Sequence, residues 1–205
     1  MGGGSAPRLA TVRRITTSTT ARRTVTSLLA VARSESGEIR LEPTKIDLCA
    51  LARAAVDDHS YTASAKAQTV EVNTQPECRA MGDPAGVRHI IDNLLSNASK
   101  YAPRGGRIRV DVAPRTRDDR RWASITVLDS GPGIPADWRE RVFEEFARVP
   151  AARDLAPGLG IGLAVSRRVA RMMGGDLTVE PNDGSTNGQS RLGGARVTLW
   201  LALDA

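Results

Sequence analysis

The run at residues 93–101, NLLSNASKY, carries two asparagines four positions apart and then a lysine. At about 100° per residue in a helix, Asn93, Asn97 and Lys100 share one side, while the leucines occupy the opposite side. An amide oxygen is a neutral ligand that a hard cation such as Mg²⁺ accepts, and an ammonium group suits a phosphate. Taken alone, this polar face is explained at least as well by solvent exposure. The surrounding sequence must decide between a solvated surface and a site.

A second polar feature directly follows a predicted strand that ends at Leu128. Asp129 opens the run 129–135, DSGPGIP. A carboxylate at a strand end accepts an exocyclic amino group, and glycines allow a flat ring to approach the backbone. An Asp-x-Gly-x-Gly pattern is an ordinary turn at least as often as a nucleotide contact, and it matches neither the Rossmann nor the Walker pattern.

Two further stretches lie downstream. The glycine-rich run 158–163, GLGIGL, opens a predicted helix, so its N–H groups and the helix N-terminus form a phosphate cradle, with a flexible hinge as the alternative. Phe143 and Phe146 are the only phenylalanines and lie three apart on a helix predicted for residues 136–147. Core packing is the default role of such a pair.

In this order and spacing, the stretches resemble the catalytic, ATP-binding domain of two-component sensor histidine kinases, within the GHKL ATPase superfamily. The matching segments are residues 89–103 (N box), 129–135 (first glycine box), 142–148 (F box), 158–163 (second glycine box) and 193–198 (final glycine-rich segment). The resemblance covers about residues 40–205. It implies an α+β fold of the Bergerat type, in which a mixed five-stranded sheet carries three main helices on one face. ATP would lie between that helical layer and a lid at about residues 147–160.

The resemblance also implies the roles of individual residues. Asn97 would coordinate Mg²⁺ with Asn93 beside it, and Lys100 would contact phosphate; these three form the expected catalytic set. Asp129 would accept the adenine amino group. The further residues expected to bind ATP are Tyr101, Gly131, Gly133, Ile134, Phe146, Arg148, Gly158, Leu159, Gly160, Ile161, Gly162, Leu163 and Thr198. Arg148 is the expected γ-phosphate contact, and the two phenylalanines would anchor the lid.

The amide at Asn93 bears on the reaction. Superfamily members that hydrolyse ATP commonly carry a glutamate base at this position, and an amide cannot take a proton. The resemblance therefore implies poor hydrolysis and transfer of the γ-phosphate to an acceptor, a reaction that needs mainly positioning and charge neutralisation.

The acceptor expected for this family, a histidine in a His-Glu-x-x-x-Pro pattern, does not occur in the sequence. His59 and His89 fall in predicted helices of the ATP-binding domain, where structural roles are expected. The expected partners are a His-containing dimerisation domain, in the same parent chain or in a separate protein, and a response regulator receiver domain. Alternatives are a stand-alone ATP-binding subunit, a protein-serine kinase of the anti-sigma type, and a non-catalytic recruiting module.

Charge and composition bound the remaining possibilities. The net charge is +6, and seven arginines against two glutamates place five of those charges in residues 1–40. Only three tryptophans, two tyrosines and two phenylalanines are present, so no aromatic stacking platform supports nucleic-acid binding. With no apolar run of about 20 residues and no signal-peptide pattern, a cytoplasmic location is expected, the parent protein being a candidate for a membrane anchor. The cysteines, Cys49 and Cys78, are expected to be buried.

The predicted organisation has three parts. Residues 1–8 are expected to be a flexible N-terminus or a remnant of cloning. Residues 9–40 are expected to contain a long helix that resembles the second helix of a dimerisation hairpin and could support a homodimer, and residues 41–205 to form the ATP-binding domain. One helix is predicted at residues 48–65, capped by Asp47, and a second begins at Pro84, capped by Asp83. A third helix is predicted to follow the glycine-rich run 158–163 and to end at about Met173. Strands are predicted at 69–73, 78–81, 107–112 and 122–128 around a polar turn at 114–121, and at 177–180 and 195–203.

Overall fold

The computed structural model describes residues 41–76, 78–152, 155–181 and 192–204. The predicted segments at residues 1–8 and 9–40, and with them the N-terminal helix, lie outside these ranges. In chain order the described elements are β1 (Thr44–Asp47), α1 (Leu48–Ser64), β2 (Thr69–Thr74), β3 (Arg79–Gly82), α2 (Pro84–Tyr101), β4 (Arg107–Arg117), β5 (Arg120–Asp129), α3 (Gly162–Met172), β6 (Asp176–Val179) and β7 (Arg196–Ala202).

The strands form one large sheet and one small one. The five-stranded sheet has the order β2-β4-β5-β7-β6, and β1 pairs with β3 in a separate antiparallel ladder. β2 runs parallel to β4, whereas the other neighbours in the large sheet are antiparallel. The sheet is therefore mixed, as predicted.

The helices begin where the sequence predicts them. Asp47 accepts hydrogen bonds from the N–H groups of Cys49 and Ala50 at the start of α1. Asp83 does the same for Gly86 at the start of α2, where Pro84 occupies the first helical position. Each carboxylate satisfies N–H groups that have no partner inside the helix.

All three helices pack on one face of the large sheet. Alternate residues of β4, such as Ile108 and Val110, are at most 1% exposed and belong to the same buried cluster as Ile90 of α2, Val165 of α3 and Val56 of α1. The apolar residues that recur at every second position of a strand thus pack against the apolar stripes of the helices, which repeat about every 3.6 residues. This confirms the predicted two-layer α+β architecture.

The β4–β5 hairpin is longer than predicted. The polar residues expected to form a turn at 114–121 continue the strand ladder, and only Asp118 and Asp119 form the turn, with φ of 51° and 56°. Two successive left-handed residues give the tight turn whose twist matches a hairpin. The arginines of this segment fit a strand because Arg115 and Arg117 lie over the Trp200 ring, at 4.9 and 5.5 Å from its centroid.

The helix predicted at residues 136–147 is wrong. Two 3₁₀ helices, Ala136–Trp138 and Arg141–Phe143, replace it. Glu144 has the extended ψ of 145°, so the last 3₁₀ turn cannot continue as an α-helix. Val142 is buried, which keeps this segment against the core without a long helix.

Both cysteines are buried free thiols, as predicted. Burial raises the pKa of Cys78 to about 11, so that thiol stays protonated at neutral pH. Among the described residues, no helix combines the length and apolar character needed to cross a membrane.

Candidate functional site

The polar face of α2 is covered by the second glycine box. A Cβ on Gly162 would lie 2.5 Å from Asn93 Oδ1, and a Cβ on Gly158 would lie 2.5 Å from Lys100 Nζ. A Cβ at Gly162 would force the short Asn93 amide to shift, so glycine allows the loop to pack directly on it, and at Gly158 the loop reaches the end of the flexible Lys100 side chain. Asn93, Asn97 and Lys100 are accordingly half-buried. The structure brings the two boxes together, and the solvated-surface interpretation of this face does not hold.

The glycine-rich loop ends in a helix N-terminus that is open to an anion. α3 begins at Gly162 after Ile161, and no side chain of the described residues caps its first turn. The N–H groups of that turn therefore lack intrahelical partners, and the positive end of the helix dipole is added to them. Together with the ammonium group of Lys100, this end of α3 suits a phosphate group.

Asp129 ends β5 in a buried position, with 6% of the residue exposed. Its Oδ1 accepts hydrogen bonds from the backbone N–H groups of Gly131 at 2.7 Å and Ala195 at 3.1 Å. Burial raises the pKa of the Asp129 carboxyl to about 6, although these two N–H groups oppose the shift. Both hydrogen bonds go to Oδ1, which leaves Oδ2 to accept a donor from a ligand.

Glycines allow the backbone to pack closely around Asp129. A Cβ on Gly131 would lie 2.8 Å from both Asp129 Oδ1 and the carbonyl oxygen of Tyr101, and a Cβ on Gly194 would collide with the carboxylate. Gly133 has a φ of 77°, a conformation that side chains disfavour. The first glycine box, the C-terminal end of α2 and the segment before β7 therefore meet at this carboxylate.

The base of the predicted lid is a close backbone contact. Gly160 has a φ of 76°, and a Cβ there would lie 2.6 Å from the Ala147 carbonyl oxygen. Arg148 Nη2 donates to the Ala156 carbonyl oxygen over 2.6 Å. In this structure Arg148, the residue expected to contact the γ-phosphate, therefore joins the start of the lid segment to its middle. Phe146 is 65% exposed at a φ of 63°, and core packing is therefore wrong for it.

A polar cluster missed by the sequence analysis caps the C-terminal end of α2. Gln68 is 5% exposed, and its Nε2 donates to the carbonyl oxygens of Ser99 and Ala102, each at 3.0 Å. Lys66 Nζ donates to the same Ser99 carbonyl over 2.7 Å, and Ser99 Oγ donates to Gln68 Oε1 over 2.7 Å. These bonds satisfy helix-terminal carbonyls and thereby fix the turn of α2 that carries Lys100. A glutamine before a strand gives no pattern that predicts such a cap.

Arg167 of α3 joins the two segments that flank the lid, and it too was missed. Its Nη1 donates to Glu140 over 2.7 Å, its Nε donates to Asp176 of β6 over 2.9 Å, and its guanidinium lies 4.4 Å from the centroid of the Phe143 ring. Phe143 is thus held against α3 beside the core. On a helical wheel this arginine is indistinguishable from an exposed charge.

The remaining predicted residues divide into two groups. Tyr101 lies beside the site, with its ring centroid 4.9 Å from Lys100 Nζ, and Ile134 is half-buried within the first glycine box. Leu159 is 46% exposed in the loop, whereas Ile161 is buried and Leu163 packs on the core. Thr198 does not join the cluster: it is fully buried, and its hydroxyl pairs with that of Thr126 over 2.9 Å, on the sheet face opposite Leu199 and the helices. It packs the sheet, and the structure contradicts a role in contacting nucleotide.

The two histidines lie on α1 and α2. His59 Nδ1 is 3.1 Å from the Ala55 carbonyl oxygen within α1 and 3.8 Å from Asp92 of α2. His89 is half-buried on α2, one turn before Asn93.

The mixed sheet, the helical layer on one face and the convergence of two glycine-rich loops on α2 define a nucleotide-binding domain of the GHKL class. Residues 82–205 match the family described as "Histidine kinase-, DNA gyrase B-, and HSP90-like ATPase". The chain belongs to this family.

Curated relatives are sensor kinases. The chain is 32% identical over 151 residues to the adaptive-response sensory kinase SasA of Synechococcus sp. (strain CC9311), which covers 72% of this chain and 39% of SasA. It is 46% identical over 99 residues to the signal transduction histidine-protein kinase/phosphatase MprB of Mycobacterium sp. (strain KMS), covering 48% of this chain and 18% of MprB. The chain thus spans about two fifths of the length of SasA and about one fifth of the length of MprB.

Solved structures agree with the sequence comparison. A mycobacterial sensor histidine kinase MprB structure matches with a TM-score of 0.65 and 30% identity, over 77% of this chain and 97% of that one. Full-length ShkA in complex with AMPPNP matches with a TM-score of 0.67 and 26% identity, over 89% of this chain and 36% of ShkA.

Proposed function

We propose that this chain is the ATP-binding catalytic part of a sensor histidine kinase and that it transfers the γ-phosphate of Mg²⁺-ATP to a histidine on another domain. The observation that carries the proposal is the contact between the α2 polar face and the glycine loop, at Asn93 and Gly162 and at Lys100 and Gly158. An amide, an ammonium group and an uncapped helix N-terminus converge there. Such a set suits a metal-bound triphosphate.

The residues present fit a purine nucleotide. Asp129 has one carboxylate oxygen engaged by backbone N–H groups and a second available to an adenine amino group. Gly131 and Gly194 let the backbone approach this carboxylate more closely than any residue with a Cβ could. The ShkA structure, a neighbour in fold, is a complex with the ATP analogue AMPPNP. ATP is therefore the nucleotide that the site supports best.

The residues also fit a magnesium ion. Among the described residues, no side chain hydrogen-bonds to the Asn97 amide, one helical turn from Asn93, so its oxygen is available to a hard cation. When bound, the ion neutralises charge on the phosphates as the phosphoryl group leaves. Lys100 adds a second positive charge, and the α3 N-terminus orients the phosphates.

Asn93 separates this site from that of a hydrolase. Its Nδ2 donates to Ser166 Oγ over 2.9 Å, and its oxygen faces Gly162. Neither end of a neutral amide accepts a proton from water at neutral pH, so the site orients ATP without supplying a general base. The phosphoryl group then passes to the nucleophile that a docked partner presents.

The acceptor and the remaining partners belong to this proposal. The chain spans 39% of the sensory kinase SasA, and the proposal places the acceptor histidine on a dimerisation domain of the parent protein, with a response regulator as the final recipient. The homodimer expected through residues 9–40 stays a prediction, because those residues lie outside the described ranges. The catalytic domain would work in the cytoplasm, beside a membrane anchor if the parent has one. A separate ATP-binding subunit acting on a His-bearing protein uses the same chemistry.

The chain alone should bind Mg²⁺-ATP but remain unlabelled by γ-labelled ATP, and it should release phosphate slowly. The reason is that the chain has a site for phosphate, whereas Asn93 cannot act as a general base and the sequence lacks the phosphoacceptor pattern. Calorimetry measures the binding of Mg²⁺-ATP, and the label retained on the protein and the phosphate released measure the other two outcomes. The Asn97→Ala variant gives the background for all three measurements. Label on His59 or His89, or rapid phosphate release, would contradict the proposal.

A further inference from the structure

Helix α3 buries a hydroxyl among apolar side chains. Ser166 is fully buried beside Val165, Val169 and Ala170, on the side of the helix that packs into the core. A buried hydroxyl is costly unless it has a hydrogen-bond partner. The partner here is on α2, where Asn93 Nδ2 donates to Ser166 Oγ over 2.9 Å.

The two ends of the Asn93 amide lie in different surroundings, and the bond to Ser166 anchors one of them. With Nδ2 held by Ser166, Oδ1 faces Gly162, where a Cβ would lie 2.5 Å away. The positive end of the α3 dipole also favours the oxygen in that place. The opposite orientation would turn two N–H donors toward the first turn of α3, where a cation and the phosphates of the proposed substrate would lie.

We infer that Ser166 is a positioning residue that acts through Asn93. It holds the amide so that a neutral oxygen, the ligand type that hard cations accept, faces the phosphate side of the site. The inference rests on the proposed function, because it assigns the orientation of one of the residues proposed to hold Mg²⁺-ATP. It differs from a packing role, which requires volume at position 166 but no hydrogen-bond acceptor.

Ser166→Ala removes the acceptor and a single heavy atom. The Mg²⁺ concentration needed for half-maximal ATP binding should rise about tenfold, the range seen when a residue that orients a metal ligand is lost. ATP affinity measured without metal, in a chelator, should change less than about twofold, because the adenine and glycine-loop contacts remain. Ser166→Thr retains the acceptor and should restore most of the metal dependence.

The matched control is Ser124→Ala, which removes another buried serine hydroxyl, one that donates to the Ala113 carbonyl oxygen over 2.7 Å on the far face of the sheet. It should leave the Mg²⁺ dependence at the wild-type value. If Ser166→Ala binds with wild-type Mg²⁺ dependence, or loses metal-free and metal-dependent affinity equally, the inference is overturned while the proposed function stands. A wild-type chain that does not bind Mg²⁺-ATP overturns both.

Discussion

Replacing Asp129 by asparagine should weaken ATP binding at least about 100-fold. The amide oxygen can still accept from Gly131 and Ala195, so the local fold is retained, but an NH₂ group takes the place of Oδ2. Two donors then face each other where the adenine amino group should bind, and a hydrogen bond to a charged group, about 1.5–3 kcal/mol, is lost in addition. Calorimetric titration with Mg²⁺-ATP measures the loss.

The raised pKa of Asp129 adds a pH dependence to the same prediction. With a pKa of about 6, the carboxylate is ionised at neutral pH and accepts the amino group. As pH falls through about 6 the group gains a proton, and an O–H at Oδ2 would point a donor at the adenine amino group instead of a charged acceptor, so affinity should fall roughly tenfold for each further pH unit. Asp129→Asn should lack this component and retain only the titration of the nucleotide itself.

Asp111→Asn is the control for both measurements. Asp111 is a half-buried carboxylate on β4, paired with Arg109 over 3.1 Å on the sheet face away from the site. This variant should bind ATP as the wild type does at every pH. Equal affinities for Asp129→Asn and wild type would refute the adenine assignment.

Replacing Asn97 by alanine should slow phosphoryl transfer at least about 100-fold and abolish the gain in ATP affinity that Mg²⁺ confers. The physical reason is that a positioned metal ion supplies several kcal/mol of charge neutralisation, and alanine offers it no ligand. The Asn97 residue is half-buried, and no side chain of the described residues hydrogen-bonds to its amide, so the fold should tolerate the change. Titrating ATP at a series of Mg²⁺ concentrations separates the metal-dependent affinity from the rest.

Asn73→Ala supplies the matched asparagine. Asn73 is exposed on β2 and donates to Asp111 over 3.0 Å, outside the site. Its replacement should leave Mg²⁺-dependent affinity unchanged. A normal Mg²⁺ response in Asn97→Ala would remove Asn97 from the metal site.

The sequence predicted the parts of the fold that depend on local signals. Asp83 and Pro84 mark the start of α2, and the face shared by Asn93 and Asn97 follows from helical periodicity alone. The segment 136–147 was misassigned because its apolar residues have helical spacing, whereas Phe146 takes a left-handed conformation to meet Gly160. That choice is made by a tertiary contact that no local pattern records.

The candidate site was predictable to the same extent. Glycines at 131, 158 and 162 were recognised as a pattern, but their contacts with α2 depend on packing between segments distant in sequence. Gln68 and Ser166 give no signal, because a polar residue that is hydrogen-bonded to a segment distant in sequence is indistinguishable there from one facing water. Thr198 was assigned to the nucleotide from its position in the final segment, and strand alternation directs it to the other face.

Phosphoryl transfer in trans tests the central proposal most directly. The chain is mixed with γ-labelled Mg²⁺-ATP and separately prepared His-containing dimerisation domains from the sensor kinases that it resembles. The account predicts acid-labile, base-stable label on the histidine of at least one such domain, with none for Asp129→Asn or Asn97→Ala. ATP consumed as free phosphate with no labelled domain, or acid-stable label on a serine of a partner, would contradict it.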